Sequence, residues 1–487
     1  MSLLVPIALP LIAAVCVFGI GGLLGERWRN LRDGLHTVLA VVTFFCVTRL
    51  YVGVTQGNSF DVSVIEVLPD LPIAFSVEPL GMLFALVASG LWIVTSVYAY
   101  GYMRGHDEQH QTRFFTWFAV AISAAIGVAF SANLMTLFVF YEVLTLSTYP
   151  MVTHHQTDEA RKAGRIYLGI LLFTSVCFLL SAIVWTWHIS GTLDFTPGGI
   201  LAGKIEDTQV PILLALFAFG AGKAALMPFH RWLPNAMVAP TPVSALLHAV
   251  AVVKAGVFTI LKVVVYVFGL DLLTTTGANG WLMAVAGATL LISSAIALTL
   301  DNLKARLAYS TISQLSYIVL GAAMATASGV VGGAMHIAMH AMGKITLFFC
   351  AGAIYVGAHK KLVSELDGIA TKMPWTMAAF TVGSVSIIGL PPLGGAWGKW
   401  FLGLGSIEAQ APMYVAVLMV SSLLSVGYLM PIVARAYFRP LPDDDHSHEA
   451  PLLCVVPLCA TALGCLVLFV LGDEIYQLIL PIVKGAG

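Results

Sequence analysis

The sequence predicts an all-α polytopic membrane protein of about 14 transmembrane helices, and three observations predict it. Its 487 residues are 59% hydrophobic and only 10% charged, with a mean hydropathy of +0.91; a soluble domain carries about 25% charged residues. Apolar stretches near the roughly 20 residues that a spanning helix needs recur from end to end. The segments between them alternate in charge, and no polar block is long enough to form a separate soluble domain.

In chain order the expected spans are 3–24, 35–55, 73–101, 114–130, 133–152, 166–189, 209–227, 241–269, 279–300, 303–322, 331–357, 375–404, 411–434 and 451–481. The first has no basic region before it, and its arginines follow it, so it reads as a spanning helix and not a cleaved signal peptide. Arg27, Arg29, Arg32, Arg104, Arg113, Arg161, Lys162, Arg165, Arg231, Lys304, Arg306, Lys360, Lys361, Lys372, Arg435 and Arg439 fall on one side. Lys204, Lys484, Arg49 and the acidic loop "DVSVIEVLPD" fall on the other. A Lys/Arg excess in short loops marks the cytoplasmic side, so both termini are expected outside. The seven cysteines lie in apolar segments without a CxxC pair, which suggests neither a disulfide framework nor a metal cage.

Subtracting the loops leaves Glu142, Lys223, Lys254, Lys262, Lys344 and Lys399 inside the spans, with His248, His336 and His340. A charge at mid-bilayer costs at least about 2.5–3.5 kcal/mol, so each needs a partner, water or a function. Five lysines against one glutamate cannot all be paired within the chain. Glu142 lies in the fifth span, "FVFYEVLTLSTYP", where a lone carboxylate can bias a neighbouring cation or serve as a structural ion pair. Lys223 lies one to three turns before Pro228 and Pro234, and these prolines should break the seventh helix near "MPFHRWLP". In the eighth span His248 and Lys254 are six residues apart and do not share a face. Lys262, two turns nearer the outer end, is expected to snorkel.

The eleventh span, "GGAMHIAMHAMGKITLFFCAG", places His336, His340 and Lys344 at i, i+4 and i+8 on one face. An i, i+4 histidine pair can hold a metal, but no glutamate stands between them and no third ligand is near. A ladder of titratable groups fits a proton relay better. The loop "PDDDHSHEA", with His446 and His448, reads as a solvated connection. Neither a Walker loop, a Rossmann fingerprint, a flavin pattern nor an iron–sulfur pattern is found, so no cofactor, resident metal or catalytic centre is expected in this chain.

In the twelfth span, "GLPPLGGAWGKW" sets Pro391 and Pro392 beside Lys399. The two expected breaks are five spans apart, and each carries a buried lysine. An odd separation requires the repeats to lie inverted, a pattern that points to a transport pathway near the midplane. The expected organisation is peripheral helices 1–3 over 1–110, a first repeat of helices 4–8 over 111–270, a second of helices 9–13 over 271–440, and helix 14 over 441–487.

These residues also resemble a known family. "GAGKAALMPFHRWLPNAMVAPTPVSALLHAVAVVKAG", "FYEVLTLSTYP", "HIAMHAMGKITLFFCAG" and "GLPPLGGAWGKW" look like the blocks, in the right order, of the antiporter-like subunits of respiratory complex I and Mrp-type cation/proton antiporters. The resemblance covers residues 70–440 and implies a fourteen-helix proton-translocating module without redox centres. It implies that Glu142 pairs with Lys223 and tunes it, that His248, Lys254, His336, His340 and Lys344 relay protons, and that Lys399 ends the axis. Where the family often reads "WLPDAH", this chain has Asn235 and Met237, and Ala396 replaces a frequent phenylalanine. Lys399 stands where one complex I component carries glutamate, and Lys254 where the largest tends to have threonine. The chain ends about seven residues after its last span, without that component's long lateral helix. Among the family's branches, the chain most resembles the D component of the Mrp-type antiporter.

The implied function is proton conduction within a multisubunit Na⁺/proton antiporter, with sodium left to partner subunits because Glu142 is the one midplane carboxylate. The alternative is a proton-pumping subunit of a complex I-like NADH:quinone oxidoreductase or a membrane-bound hydrogenase. A solute transporter would need a clustered pocket, and a passive scaffold would not retain five buried lysines. The implied surroundings are the bacterial inner membrane, its lipids and other membrane subunits; nucleic acid is not among the partners.

Overall fold

The computed structural model describes residues 2–69, 71–246, 250–443 and 445–484. Helices α1 (Val5–Gly19) and α2 (Arg29–Thr55) lead into a two-stranded antiparallel hairpin, β1 (Asp61–Leu68) and β2 (Leu71–Ser76). Then come α3 (Pro79–Gly105), α4 (Gln111–Ala129), α5 (Leu134–Val152), α6 (Asp158–Thr174) and α7 (Leu180–Ser190), the last two joined by a π-turn. The first broken region comprises α8 (Val210–Gly220), α9 (Trp232–Asn235), α10 (Thr241–Ala245), α11 (Val252–Val263) and α12 (Leu270–Thr276). Helices α13 (Gly280–Thr299), α14 (Leu303–Ala323) and α15 (Ala327–Ala358) follow, then α16 (Pro374–Ile388), α17 (Gly395–Glu408), α18 (Met413–Phe438), α19 (Leu452–Val470) and α20 (Gly472–Lys484).

Among the described residues, ten helices are long and apolar enough to cross a membrane, or eleven if the bent pair Val252–Phe268 and Leu270–Thr276 is one span. Helices α8 and α16 are shorter apolar segments. Helix α14 has 21 residues but carries Arg306, Ser310, Ser313 and Gln314, all buried, which lowers its apolarity. Side-chain caps start several helices: Asn133 accepts from Thr136 N–H before α5, Thr157 from Ala160 N–H before α6, and Thr326 from Gly329 N–H before α15.

Helix α15 is the centre of the bundle, with 94% of its most apolar window buried. It packs against α14, α16, α17 and α19, and more narrowly against α3, α10 and α11. Gly332 lets α17 approach closely, since a Cβ there would lie 2.7 Å from Leu402 N.

Several expectations about spans are corrected. The span expected over 73–101 begins as strand, because 61–68 alternates apolar and polar residues and pairs with 71–76. The hairpin lies across helix ends, with Ser76 N–H on Phe130 O and Ala132 N–H on Ala74 O. The span expected over 241–269 is interrupted: α10 stops at Ala245, and Ala251, at φ −122° and ψ −65°, leaves helical geometry before α11. Beyond Phe268 the chain turns by 82° into α12. The span expected over 451–481 is two helices, α19 and α20, meeting at Leu471 and Gly472.

Both expected breaks are present. In the first, α8 ends at Gly220, Lys223 sits in a single 3₁₀ turn, and Ala225 has φ +56°. The break therefore opens before Lys223 and runs to Pro228, with Pro234 inside the short α9. In the second, Gly389 at φ +91° ends α16, and Pro391 and Pro392 separate it from α17. Each break contains one cis proline bond, Met227–Pro228 and Pro391–Pro392.

Candidate functional site

A broken membrane helix exposes backbone groups that must be satisfied by protein or by water, and here lysines do part of that work. Lys399 belongs to the first turns of α17, and its Nζ reaches back across the break to donate to Ile388 O at 2.8 Å and to Ser422 Oγ at 2.9 Å. A cavity of about 610 Å³ lies against it, lined by Gly389, Pro391, Trp400, Ser422 and Phe469 among others.

Lys223, fully buried, donates from Nζ to Tyr141 O at 2.9 Å and Thr145 Oγ1 at 2.6 Å, and lies 3.1 Å from the Tyr141 ring centre. Its backbone N–H donates to Tyr141 Oη at 3.1 Å. Helix α5 thus cradles the lysine on both sides of Glu142. The expected direct pair with Glu142 is absent among the described residues: neither Glu142 oxygen meets a hydrogen-bond donor. A carbonyl, a hydroxyl and an aromatic face hold the ammonium, while the Glu142 carboxylate acts on it through its charge without touching it.

The middle of the bundle joins three helices. Lys254 Nζ lies 2.5 Å from Nδ1 of His340, and both are buried. The rings of His340 and His336 stack 5.9 Å apart, one turn along α15. His336 Nε2 meets Gln314 Oε1 at 2.9 Å, and its ring stacks on Tyr317 at 5.5 Å. Tyr317 in turn holds Lys399 Nζ 4.8 Å from its ring centre, and its hydroxyl is 3.5 Å from Ser422 Oγ. A continuous line of polar and aromatic groups therefore runs Lys254, His340, His336, Tyr317, Lys399. Lys344 stands beside it, donating to Ser310 Oγ at 2.6 Å and Leu307 O at 3.2 Å. His248 lies outside the described residues.

Lys262 does not snorkel. It is fully buried, 2.9 Å from Glu78 Oε1, and donates to Ser131 O at 2.7 Å. Glu78 is thus a second carboxylate on the inner face of the bundle, which the expectation of a lone Glu142 leaves out. It falls within the span expected over 73–101, yet the inventory of intramembrane charges omits it. The partners Tyr141, Thr145, Ser310, Gln314, Tyr317 and Ser422 do not stand out in the sequence either. One signal could find three of them: Ser310, Gln314 and Tyr317 recur at i, i+4 and i+7, on one face of the polar-rich helix α14.

Residues 131–425 match the family of NADH:quinone oxidoreductase/Mrp antiporter transmembrane subunits. The chain belongs to this family. It is 33% identical over 426 residues to NADH-quinone oxidoreductase subunit N of Desulforudis audaxviator, covering 84% of each chain. It is 30% identical over 455 residues to the A/B component of a probable K⁺/H⁺ antiporter of Rhizobium meliloti, covering 90% of this chain and 44% of that one. Its fold resembles a chain of the Mrp complex from Dietzia sp. DQ12-45-1b, with a TM-score of 0.84 and 22% identity over 99% of this chain and 97% of that one. An antiporter-like, multi-pass membrane subunit of the proton-translocating class accounts for the fold and the family together.

Proposed function

We propose that this antiporter-like subunit conducts protons along the line Glu142, Lys223, His248, Lys254, His340, His336 and Lys399, with Lys344 alongside, as one subunit of a multisubunit Na⁺/H⁺ antiporter. The observation that carries the reading is the contact of Lys254 with His340, from which His336, Tyr317 and Lys399 follow as neighbours across gaps that water would bridge. Lysine and neutral imidazole at 2.5 Å can share a proton, and intramembrane ionisable groups mark ion routes. Lys223, held by neutral acceptors, is free to lose its proton when Glu142 moves away and to regain it when Glu142 approaches. The cavity of about 610 Å³ leaves open space beside Lys399 at that end of the line.

The matching breaks, each with its proline pair or series and its lysine, support the division into inverted repeats over 111–270 and 271–440, with 1–110 and 441–487 outside them. The basic loops support placement in the bacterial inner membrane with both termini outside. Other membrane subunits of the complex would supply the sodium path, because hard cations prefer oxygen ligands and the line itself is basic.

A second reading has its own support: the 33% identity to NADH-quinone oxidoreductase subunit N. There the same line would be driven by electron transfer in partner subunits. Vesicles holding the whole complex separate the two. Sodium-dependent proton movement without a redox substrate is expected for the antiporter; movement only on adding a redox substrate would replace it by the second reading. Glu142→Gln, Lys223→Ala and Lys399→Ala should each abolish coupled transport in an assembled complex. Normal transport by Lys399→Ala would remove the proposed line.

A further inference from the structure

The Glu78–Lys262 pair lies apart from that line, about 12 Å further along α11 than Lys254 at the helical rise per residue. Its surroundings come from several separate parts of the chain. Glu78 occupies the N-cap position of α3 but makes no side-chain cap; its Oε1 faces Lys262 at 2.9 Å instead. Lys262 also donates to Ser131 O, between α4 and α5, and stands over the Phe195 ring at 4.3 Å. Tyr266, one turn beyond Lys262, faces the same carboxylate. Neither Glu78 oxygen is filled by a well-aligned hydrogen bond among the described residues.

A cavity of about 310 Å³ opens onto this pair, lined by Glu78, Ser131, Phe195, Lys262, Tyr266 and Pro481 among others. It lies at the hairpin end of the bundle, opposite the basic loops. Sealing such a pair would strengthen its attraction but cost the hydration of both charges, so leaving it partly open keeps two titratable groups within reach of water. This one is buried at the lysine and 17% exposed at the glutamate, beside space for several waters.

We propose that Glu78 and Lys262 form a second proton-exchange site, at which protons pass between the interior of the bundle and water on the hairpin face. This inference rests on the proton-conduction reading. The step is a proton transfer alone: protonated Lys262 gives its proton to the Glu78 carboxylate, neutral Glu78 gives it to water in the cavity, and neutral Lys262 is reloaded from the interior. The same route run backwards admits protons from the hairpin face.

The test uses the intact complex in vesicles with three variants. Lys262→Arg keeps a cation against Glu78 but does not deprotonate, so an exchange site is blocked by it while a purely structural pair is preserved. Lys262→Arg and Glu78→Gln should each reduce proton movement at least about tenfold with assembly retained. If Glu78→Gln fails to assemble, Lys262→Arg alone decides. Transport at the unsubstituted rate by assembled Lys262→Arg would overturn the proposal. Lys262→Cys should react with a small membrane-impermeant thiol reagent from the hairpin face and not from the basic face, relative to the unsubstituted complex; labelling only from the basic face would also overturn it. Lys223→Ala is the control: if it transports normally, the proton line fails, whereas its loss of transport beside a normal Lys262→Arg removes only the site proposed here.

Discussion

Lys254 Nζ lies 2.5 Å from His340 Nδ1, joining α11 to α15 at a point where both side chains are buried. Two groups that share one proton should not act independently. Lys254→Met and His340→Ala are each expected to slow proton movement at least about tenfold, and the double variant should be no slower than the worse single. Initial rates of pH change in vesicles check this; strictly additive losses would show two separate functions.

Glu142 touches no donor among the described residues, whereas Thr145 takes a hydrogen bond from Lys223. Glu142→Gln should therefore remove transport with little change in thermal stability. Thr145→Val should destabilise the protein by about 1–3 kcal/mol, because it removes an acceptor from a buried ammonium. Thermal melts of the purified complex beside transport assays would reveal the split. A large melting shift for Glu142→Gln would contradict it.

Gly389 ends α16 at φ +91°, and a Cβ there would lie 2.6 Å from Lys399 Cδ. Gly389→Ala meets backbone strain of about 1–2 kcal/mol and pushes the Lys399 stem off its path to Ile388 O. Lower stability with impaired transport is expected. Gly403→Ala in the same helix as Lys399 meets nothing within 4 Å and should be near neutral.

The turn after α5 carries a pH dependence of stability. His154 is 3% exposed; burial, and next the Arg113 guanidinium, pull its pKa down from 6.5 to about 4. The folded state thus binds fewer protons at this site than the unfolded state between about pH 6.5 and 4. Stability from this site is present above about pH 6.5 and is lost as pH falls toward 4, a change on the order of 3 kcal/mol. His154→Gln should flatten that part of the stability–pH curve. An unchanged curve would assign the acid sensitivity elsewhere, with the neighbours Glu108, His155 and His106 the groups to test next.

What is legible in the chain follows from what a bilayer forbids. Runs such as 5–19 and 413–438 must be helical, because the hydrocarbon offers no partner to an open backbone. Pro391, Pro392 and Gly389 announce a break by removing a donor and permitting positive φ. His336, His340 and Lys344 share a face because four residues make about one turn. The hairpin is less visible, although Asp61, Ser63 and Glu66 between valines and isoleucine carry a strand-like alternation. A short polar stretch between two spans fits a loop equally well, and only pairing with 71–76 distinguishes the two.

By itself the sequence determined the membrane class, the two breaks and the five intramembrane lysines that have to be accommodated inside. Those properties depend on residues close in the chain, or on the solvent. The tertiary structure alone decided the partners: Lys223 with Tyr141 and Thr145 instead of Glu142, Lys254 with His340, Lys262 with Glu78, Lys399 with Ser422. Each pairing joins separate helices, and a few ångströms of helix rotation or shift would exchange one partner for another. No local pattern encodes that choice; the packing around α15 makes it.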